Sequence, residues 1–381
     1  MSLTALLTPA ERELAEKARA FAREVGDPIA AACERSRTHD RALIRKAAAL
    51  GLTAIQTPRE MGGLGMSFAA RAAVAEALGE ACFGVAMAVI NSHNAAFRLS
   101  KLAPGGLAER LIPGLLSGEL VGCTAMSEPG AGSDFAALTT RATRANGGWR
   151  LSGEKAWVTN ARHADLTILF AQTGLEGSAA GIAGFLVETA RPGIAVSPDN
   201  GLCALHAMGL GGFALQDYEA PDEALLLPPG GAFRSALTEV NGARVHVAAM
   251  VCGMVESAIA EVADHGAERR TFGVPLASHQ GWRWTLARAE TDLAAARLIV
   301  AEAARVIDLG ADAQLIAAQA KIHATAMAER HLPALAQALG AHGLRPDSRL
   351  ARHLIGVRGA CLADGSTEML LERVARLARP R

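Results

Sequence analysis

The chain has 381 residues, enough for two or three domains at about 150 residues each and for a large core that needs neither disulfides nor metal. Half of it is hydrophobic and 20% is charged, with 38 Lys+Arg against 38 Asp+Glu, which excludes a disordered chain and leaves no overall charge for nucleic acid or an acidic membrane to attract. The longest uncharged apolar run, Ala81 to Ile90, is about half the length a membrane-spanning helix needs, and Glu11 and Arg12 arrive before any signal-like core develops. A soluble, untargeted, cytoplasmic protein that binds neither nucleic acid nor membrane is the expectation.

From residue 1 to about 120 the pattern is helical. Thr8-Pro9-Ala10-Glu11 reads as an N-cap, a first-turn proline and an acidic first turn, followed by Leu14, Ala18, Phe21 and Val25 at helical spacing. Met61-Gly62-Gly63-Leu64-Gly65 interrupts the helices, as does Pro104-Gly105-Gly106 before another helix that ends near Ser117-Gly118. Between about Leu120 and Pro229 the texture becomes that of strands. Asn146-Gly147 between Arg141–Arg144 and Trp149–Ser152 is a strong hairpin signal, and Leu166 to Ala171 and Gly184 to Val187 are further strands. Pro228-Pro229-Gly230-Gly231 closes this stretch. Long helices then return, as in Glu290 to Asp308 and Asp312 to Leu339. The expected fold is α+β: an N-terminal helical domain (1–120), a middle β domain (121–229) and a C-terminal four-helix bundle (230–381).

The six cysteines show no paired spacing, so reduced thiols are expected and no metal site. The zinc-protease, P-loop and serine-hydrolase motifs are missing. Two segments carry more chemistry. In Cys123 to Asp134, two glycines and a proline at a strand-to-loop junction leave backbone N–H groups and small hydroxyls for a planar or phosphate-bearing ligand, or simply form a tight loop. Leu151 to Asn160, taken alone, is a strand whose Trp157 packs inward. Asp364-Gly365-Ser366 alone reads as a turn and helix cap, and Arg244 alone as one half of a surface helix salt bridge.

Taken together, Thr124–Asp134 and Gly153–Asn160 closely resemble the acyl-CoA dehydrogenase flavoprotein family, whose middle domain pairs a Thr-Glu-Pro-Gly-Ala-Gly-Ser-Asp loop with a Gly-x-Lys-x-Trp strand. Thr57 to Gly65, Glu268 to Gly273 with Gln280, Gln337 to Gly343, and Asp364 to Glu368 are similar to further family segments at matching distances, so the resemblance spans nearly the whole chain. It implies FAD held by Met126, Ser127, Trp157 and Thr159, the last beside flavin N5. It implies that Arg269, Thr271, Phe272, Gln280, Gln337 and Gly340 reach the FAD of a neighbouring subunit, in a homotetramer or at least a dimer. Ser133 and Arg244 match positions that touch CoA, and Ser366 and Glu368 match positions near the FAD nucleotide.

The family reaction takes a proton from the carbon α to a thioester while the β hydrogen leaves as hydride, and electrons pass on to an electron-transfer flavoprotein. It needs a desolvated base and hydrogen bonds to the enolate oxygen, which the resemblance assigns to the Asp364 N–H and a flavin ribityl hydroxyl. Family members usually place glutamate just before Gly-Thr or just before the helix arginine; here those positions hold Asp364 and Ala243. Asp364 is the candidate base, a carboxylate made more basic if it is buried against the flavin. Ile355-Gly356 replaces a family Arg-Asp pair, and Ala341 replaces a glycine. The small, polar Asn91 to Phe97 segment, where the family contacts acyl chains, suggests a short or functionalised acyl group; Arg98 is a candidate clamp for an acyl carboxylate.

The expected function is FAD-dependent α,β-dehydrogenation of an acyl-CoA in fatty acid metabolism. One alternative is a related flavin oxidase, monooxygenase or acyl-carrier-protein dehydrogenase, which oxygen reactivity separates. Another is a non-catalytic FAD- or CoA-binding assembly protein, which flavin bleaching separates.

Overall fold

The computed structural model describes residues 3–174, 177–197, 202–345 and 348–378. In chain order, helices α1 (Leu3–Leu6), α2 (Pro9–Phe21), α3 (Asp27–Ser36), α4 (Ala42–Ala48), α5 (Phe68–Gly79), α6 (Phe83–Leu102) and α7 (Gly105–Ser117) come first. Strands β1 (Gly122–Ala125), β2 (Arg141–Ala145), β3 (Gly148–Val158), β4 (Leu166–Gln172), β5 (Ile182–Glu188), β6 (Ile194–Ser197), β7 (Gly211–Pro221) and β8 (Leu225–Leu227) follow. Then come α8 (Ala232–Glu268), the short pair β9 (Arg270–Thr271) and β10 (Val274–Pro275), and helices α9 (Gln280–Asp308), α10 (Gln314–Leu339), α11 (Arg349–Leu362) and α12 (Thr367–Ala378). This is the three-part order expected: helices, a β region, helices. Gly105 and Gly106, expected in the break, instead form the first turn of α7 behind Pro104.

By spatial contact the chain divides into two compact units: Met1–Arg37, Ser67–Ala86 and Val240–Arg381 in one, Thr38–Met66 and Met87–Glu239 in the other. The helical unit thus draws on both ends of the chain. At its start Thr8 and Glu11 form the expected capping box: Thr8 Oγ1 accepts from Glu11 N at 3.4 Å, and the Glu11 carboxylate accepts from Thr8 N at 2.8 Å. Glu11 also accepts from the N-cap Ser67 N at 2.8 Å, and Asp308 accepts from Phe68 N and Ala69 N, so a carboxylate remote in sequence satisfies the first two donors of α5 while Ser67 Oγ accepts from Ala70 N.

Helices α5 and α8 touch backbone to backbone. A Cβ on Gly79 would stand 2.2 Å from Met250 O, and one on Gly253 would stand 1.9 Å from Glu76 O. Arg297 of α9 bridges the crossing, donating to Glu76 at 2.7 Å and pairing with Glu256 at 2.8 Å. We expect Gly253→Ala to force these helices apart and to cost about 1–3 kcal/mol, seen as a lower midpoint in thermal unfolding; an unchanged midpoint would show that the crossing relaxes freely. Helix α8 is long and apolar enough to cross a membrane by length and composition, but 83% of its most apolar window is buried within the fold, as in a core helix.

The other unit is built on a mixed sheet of order β6-β7-β3-β2-β4-β5-β8, with β1 parallel to β4. The Asn146-Gly147 hairpin forms as the dipeptide predicts, with Ala145 opposite Gly148 and Gly147 at φ 77°. Phe170, Phe185, Phe213 and Tyr218 fill its core, and the Tyr218 hydroxyl accepts from Glu188 N at 2.9 Å. The glycine-rich break near residue 63 is a tight turn: a Cβ on Gly63 would lie 2.0 Å from Thr57 O.

Candidate functional site

In the sheet-containing unit, the loop after β1 and the strand β3 are locked together by a buried ion pair. Lys155 Nζ lies 2.7 Å from Glu128 Oε1 and 3.1 Å from Met126 O, with both charged side chains almost fully buried. Glu128 also accepts from Thr139 N at 2.7 Å, Thr139 Oγ1 at 2.8 Å and Thr140 N at 3.0 Å. Burial opposes its charge, but the Lys155 ammonium and these donors outweigh it and hold the carboxyl down at about 2. Burial pulls Lys155 down to about 8 against the attraction of Glu128, so both are ionised at neutral pH. Ala156 N donates to Ser127 O at 3.0 Å, which fixes Met126 and Ser127 beside the strand.

Trp157 does not pack inward. A bulge between Lys155 and Val158 shifts the register against β7, Trp157 takes φ 59°, and its side chain is 51% exposed. A left-handed tryptophan on a strand is backbone strain placed where the ring faces outward, a pattern typical of ligand contacts. Thr159 is buried beside it, and Asn160 at φ 66° donates to Ala88 O at 2.9 Å and Ser92 Oγ at 3.2 Å, tying the end of β3 to α6. Ser133 is exposed in the preceding loop, where a Cβ on Gly130 or Gly132 would meet nothing within 4 Å.

The polar residues of the α6 segment are committed within the protein. Asn91 Nδ2 donates to Met87 O at 3.0 Å, and His93 is fully buried, with Nδ1 3.3 Å from Thr53 O and its ring stacked on Phe97. Arg98, the candidate clamp, pairs with Glu239 and donates to Thr124 Oγ1 at 3.0 Å, so its guanidinium is engaged within the protein.

In the helical unit, the residues expected to reach a neighbouring cofactor gather at one end of the bundle. The strands β9 and β10 are joined by Phe272 at φ 51° and Gly273 at φ 83°, both positive as a two-residue hairpin turn demands, and Phe272 is 97% exposed. Thr271 Oγ1 lies 3.0 Å from His279 Nε2, next to Gln280 at the start of α9. The ring of Trp282 lies against Gly266, where a Cβ would meet it at 2.1 Å, and its Nε1 donates to Ala338 O at 3.4 Å, bringing the start of α9 to the end of α10. Arg269, Gln280, Gln337 and Gly340 are exposed there. Ala341, the departure from the family glycine, is also exposed, so its methyl crowds no buried neighbour. Gly356, the second departure, is a close approach instead: a Cβ would lie 3.0 Å from Met254 Cε and 3.3 Å from Phe83 Cβ.

Asp364 and Gly365 lie between α11 and α12 at φ 55° and 104°. Arg244 of α8, only 6% exposed, donates from Nε to Asp364 O at 3.1 Å and from Nη1 to Asn241 Oδ1 at 2.7 Å. It is a buried brace and not half of a surface salt bridge. Burial, with Arg373 nearby, lowers it to about 10, so it remains a cation. Asp364 is half-buried, and the cations Arg244 and Lys321 both lie within electrostatic reach of it, a more polar setting than a purely apolar pocket. Ser366 Oγ accepts from Met369 N at 3.4 Å and so caps α12, while Glu368 is exposed on its first turn. Glu128, Lys155 and Lys321 are not among the site residues to which the sequence points. The available signal was a lone charge in an apolar setting, clearest for Lys321 among the alanines of α10.

Within the sheet-containing unit the residues fit FAD: an outward tryptophan at a strained bulge and open glycine positions in the adjoining loop. Models of the acyl-CoA dehydrogenase N-terminal, middle and C-terminal domains match residues 8–119, 123–218 and 230–378. The chain is 30% identical to the short-chain specific acyl-CoA dehydrogenase, mitochondrial, of Bos taurus, over 93% of this chain and 87% of that protein. Its fold is similar to butyryl-CoA dehydrogenase from Megasphaera elsdenii, with a TM-score of 0.93 and 26% identity over 98% of this chain and 99% of that one. It is equally similar to a chain of a structure titled as the electron transferring flavoprotein of Acidaminococcus fermentans, with a TM-score of 0.94 and 25% identity over 98% and 99%. The chain belongs to the acyl-CoA dehydrogenase family, whose members are FAD-dependent oxidoreductases acting on CH–CH groups.

Proposed function

We propose that the chain dehydrogenates an acyl-CoA thioester between its α and β carbons, with Asp364 as the base. The observation that carries this reading is the loop around Asp364: the residue is half-buried at positive φ, its own carbonyl is held by Arg244 and that of Gly365 by Lys321, and these two buried cations fix the backbone from which its side chain projects. Bound FAD supplies the acceptor for the β hydride. Asp364 Oδ takes the α proton, and its backbone N–H donates to the thioester oxygen. Met126, Ser127, Trp157 and Thr159 would hold the cofactor on the sheet-containing unit, with Ser133 and Arg244 toward CoA and Ser366 and Glu368 toward the nucleotide.

The cluster of exposed Arg269, Phe272, Gln280, Gln337 and Gly340 with half-buried Thr271 supports a second copy of the chain that completes the cofactor site, in a homotetramer or at least a dimer. The likeness to the electron transferring flavoprotein structure supports electron transfer to such a flavoprotein. The free cysteines, four of them buried, support a reducing, cytoplasmic setting.

The test is proton exchange. Incubated with butyryl-CoA in heavy water under anaerobic conditions, the FAD-loaded protein should exchange the α protons, and Asp364→Asn should not; exchange that persists in the variant puts the base elsewhere. Peroxide release in air would favour an oxidase instead.

A further inference from the structure

Helix α10 carries a buried lysine that the proposed chemistry does not use. Lys321 is 1% exposed in a stripe of alanines. A buried ammonium costs several kcal/mol unless its protons find partners. Its Nζ donates to Gly365 O at 2.5 Å, to Ala363 O, and to Cys361 O at 3.5 Å, which accounts for all three of its protons. Three carbonyls at the end of α11 and in the loop beyond it therefore converge on one side chain, and Arg244 takes the fourth, that of Asp364.

We propose that Lys321 is a positioning residue for Asp364: it fixes the backbone from which the short carboxylate projects. The inference rests on the reading of Asp364 as the base. An aspartate has one methylene fewer than the usual glutamate, so it cannot correct its reach by side-chain rotation, and the position of its Cα decides the distance to the α carbon. That Cα sits in the left-handed region, which a non-glycine residue keeps only where the surroundings hold it. The charged and titratable groups acting on Lys321 are Asp364 and Cys361 from the end of α11 and the loop, and Arg244 from α8, on which Arg373 of α12 also acts. Burial lowers Lys321 to about 8, so it is mostly a cation at neutral pH and loses that charge above. A cation beside a carboxylate favours the anion, so its removal should make Asp364 harder to deprotonate.

The experiment compares the FAD-loaded wild type with Lys321→Met and Lys321→Gln. Anaerobic flavin reduction is followed across pH, using the fastest substrate among butyryl-, isobutyryl- and octanoyl-CoA, and affinity is measured for butyl-CoA thioether, which cannot be dehydrogenated. We expect Lys321→Met to keep its FAD and to slow reduction about 30-fold or more, with the acid limb of the pH profile moved to higher pH. Thioether affinity should change by less than about threefold. Lys321→Gln, which keeps N–H donors without the charge, should regain part of the rate but not the position of the acid limb.

An unchanged rate and acid limb in folded variants would overturn the proposal. So would parallel loss of rate and thioether affinity with no movement of the limb. If Lys321→Met does not fold, Lys321→Gln carries the test: a rate and an acid limb that both match the wild type contradict the proposal. An active Asp364→Asn defeats the base reading itself. An inactive Asp364→Asn with unaffected Lys321 variants defeats only the role of Lys321.

Discussion

Asp364→Asn should retain yellow, FAD-bound protein and lose flavin reduction by acyl-CoA, by roughly a thousandfold, the middle of the range for a removed general base. Asparagine keeps the size of the side chain, and the loop is held through its carbonyls by Arg244 and Lys321, so the fold and the cofactor should survive. Asp364→Glu is the companion. The glutamate would project one methylene further from the same clamped Cα, so its rate on straight-chain acyl-CoA reports whether the short base is fitted to a differently shaped substrate. Stopped-flow absorbance under anaerobic conditions reads both, and reduction of Asp364→Asn at the wild-type rate would remove Asp364 from the chemistry.

The second large effect belongs to the ion pair of Glu128 and Lys155. Glu128→Gln leaves a buried ammonium without its counter-charge, and Lys155→Met leaves a buried carboxylate; each should destabilise the protein by about 3–5 kcal/mol. Because Lys155 also holds Met126 O, the FAD content of purified protein should fall as well. The double variant Glu128→Gln, Lys155→Met should recover much of the loss, since no unpaired charge remains. The pH dependence has a definite sign. Glu128 is held at about 2 in the fold against its ordinary 4.5, so its contribution is fully present above about pH 4.5 and fades as pH falls toward 2. Denaturant unfolding should therefore show the stability gap between wild type and Glu128→Gln narrowing in that acid window. A gap that is constant with pH would mean the carboxylate is not held as an anion.

Features set by a few neighbouring residues were legible in the sequence. The Thr8 to Glu11 capping box, the Asn146-Gly147 hairpin and the end of α7 at Gly118 depend on local backbone geometry, and all three form where their residues predict. The orientation of Trp157 was not, because simple alternation sends it inward and the bulge that turns it outward comes from pairing with β7, far along the chain. Arg244 reads as a surface residue until α8 is seen packed against the loop at Asp364. The crossing at Gly79 and Gly253 looks like two weak helix positions in sequence and becomes a close contact only when both ends of the chain share one unit.

For the candidate site, recurring segments pointed to Asp364, Trp157 and Phe272. The groups that hold them, Glu128 with Lys155 and Lys321, act through backbone carbonyls and amides that no residue pattern displays.

The most direct test is the anaerobic flavin spectrum of the purified protein titrated with straight, branched and cyclic acyl-CoAs of increasing length. Stoichiometric FAD and rapid bleaching by at least one of these thioesters are expected, with bleaching roughly a thousandfold slower in Asp364→Asn. Full FAD with no bleaching by any acyl-CoA, together with bleaching by a nitroalkane or an acyl-carrier-protein thioester, would contradict the proposed function.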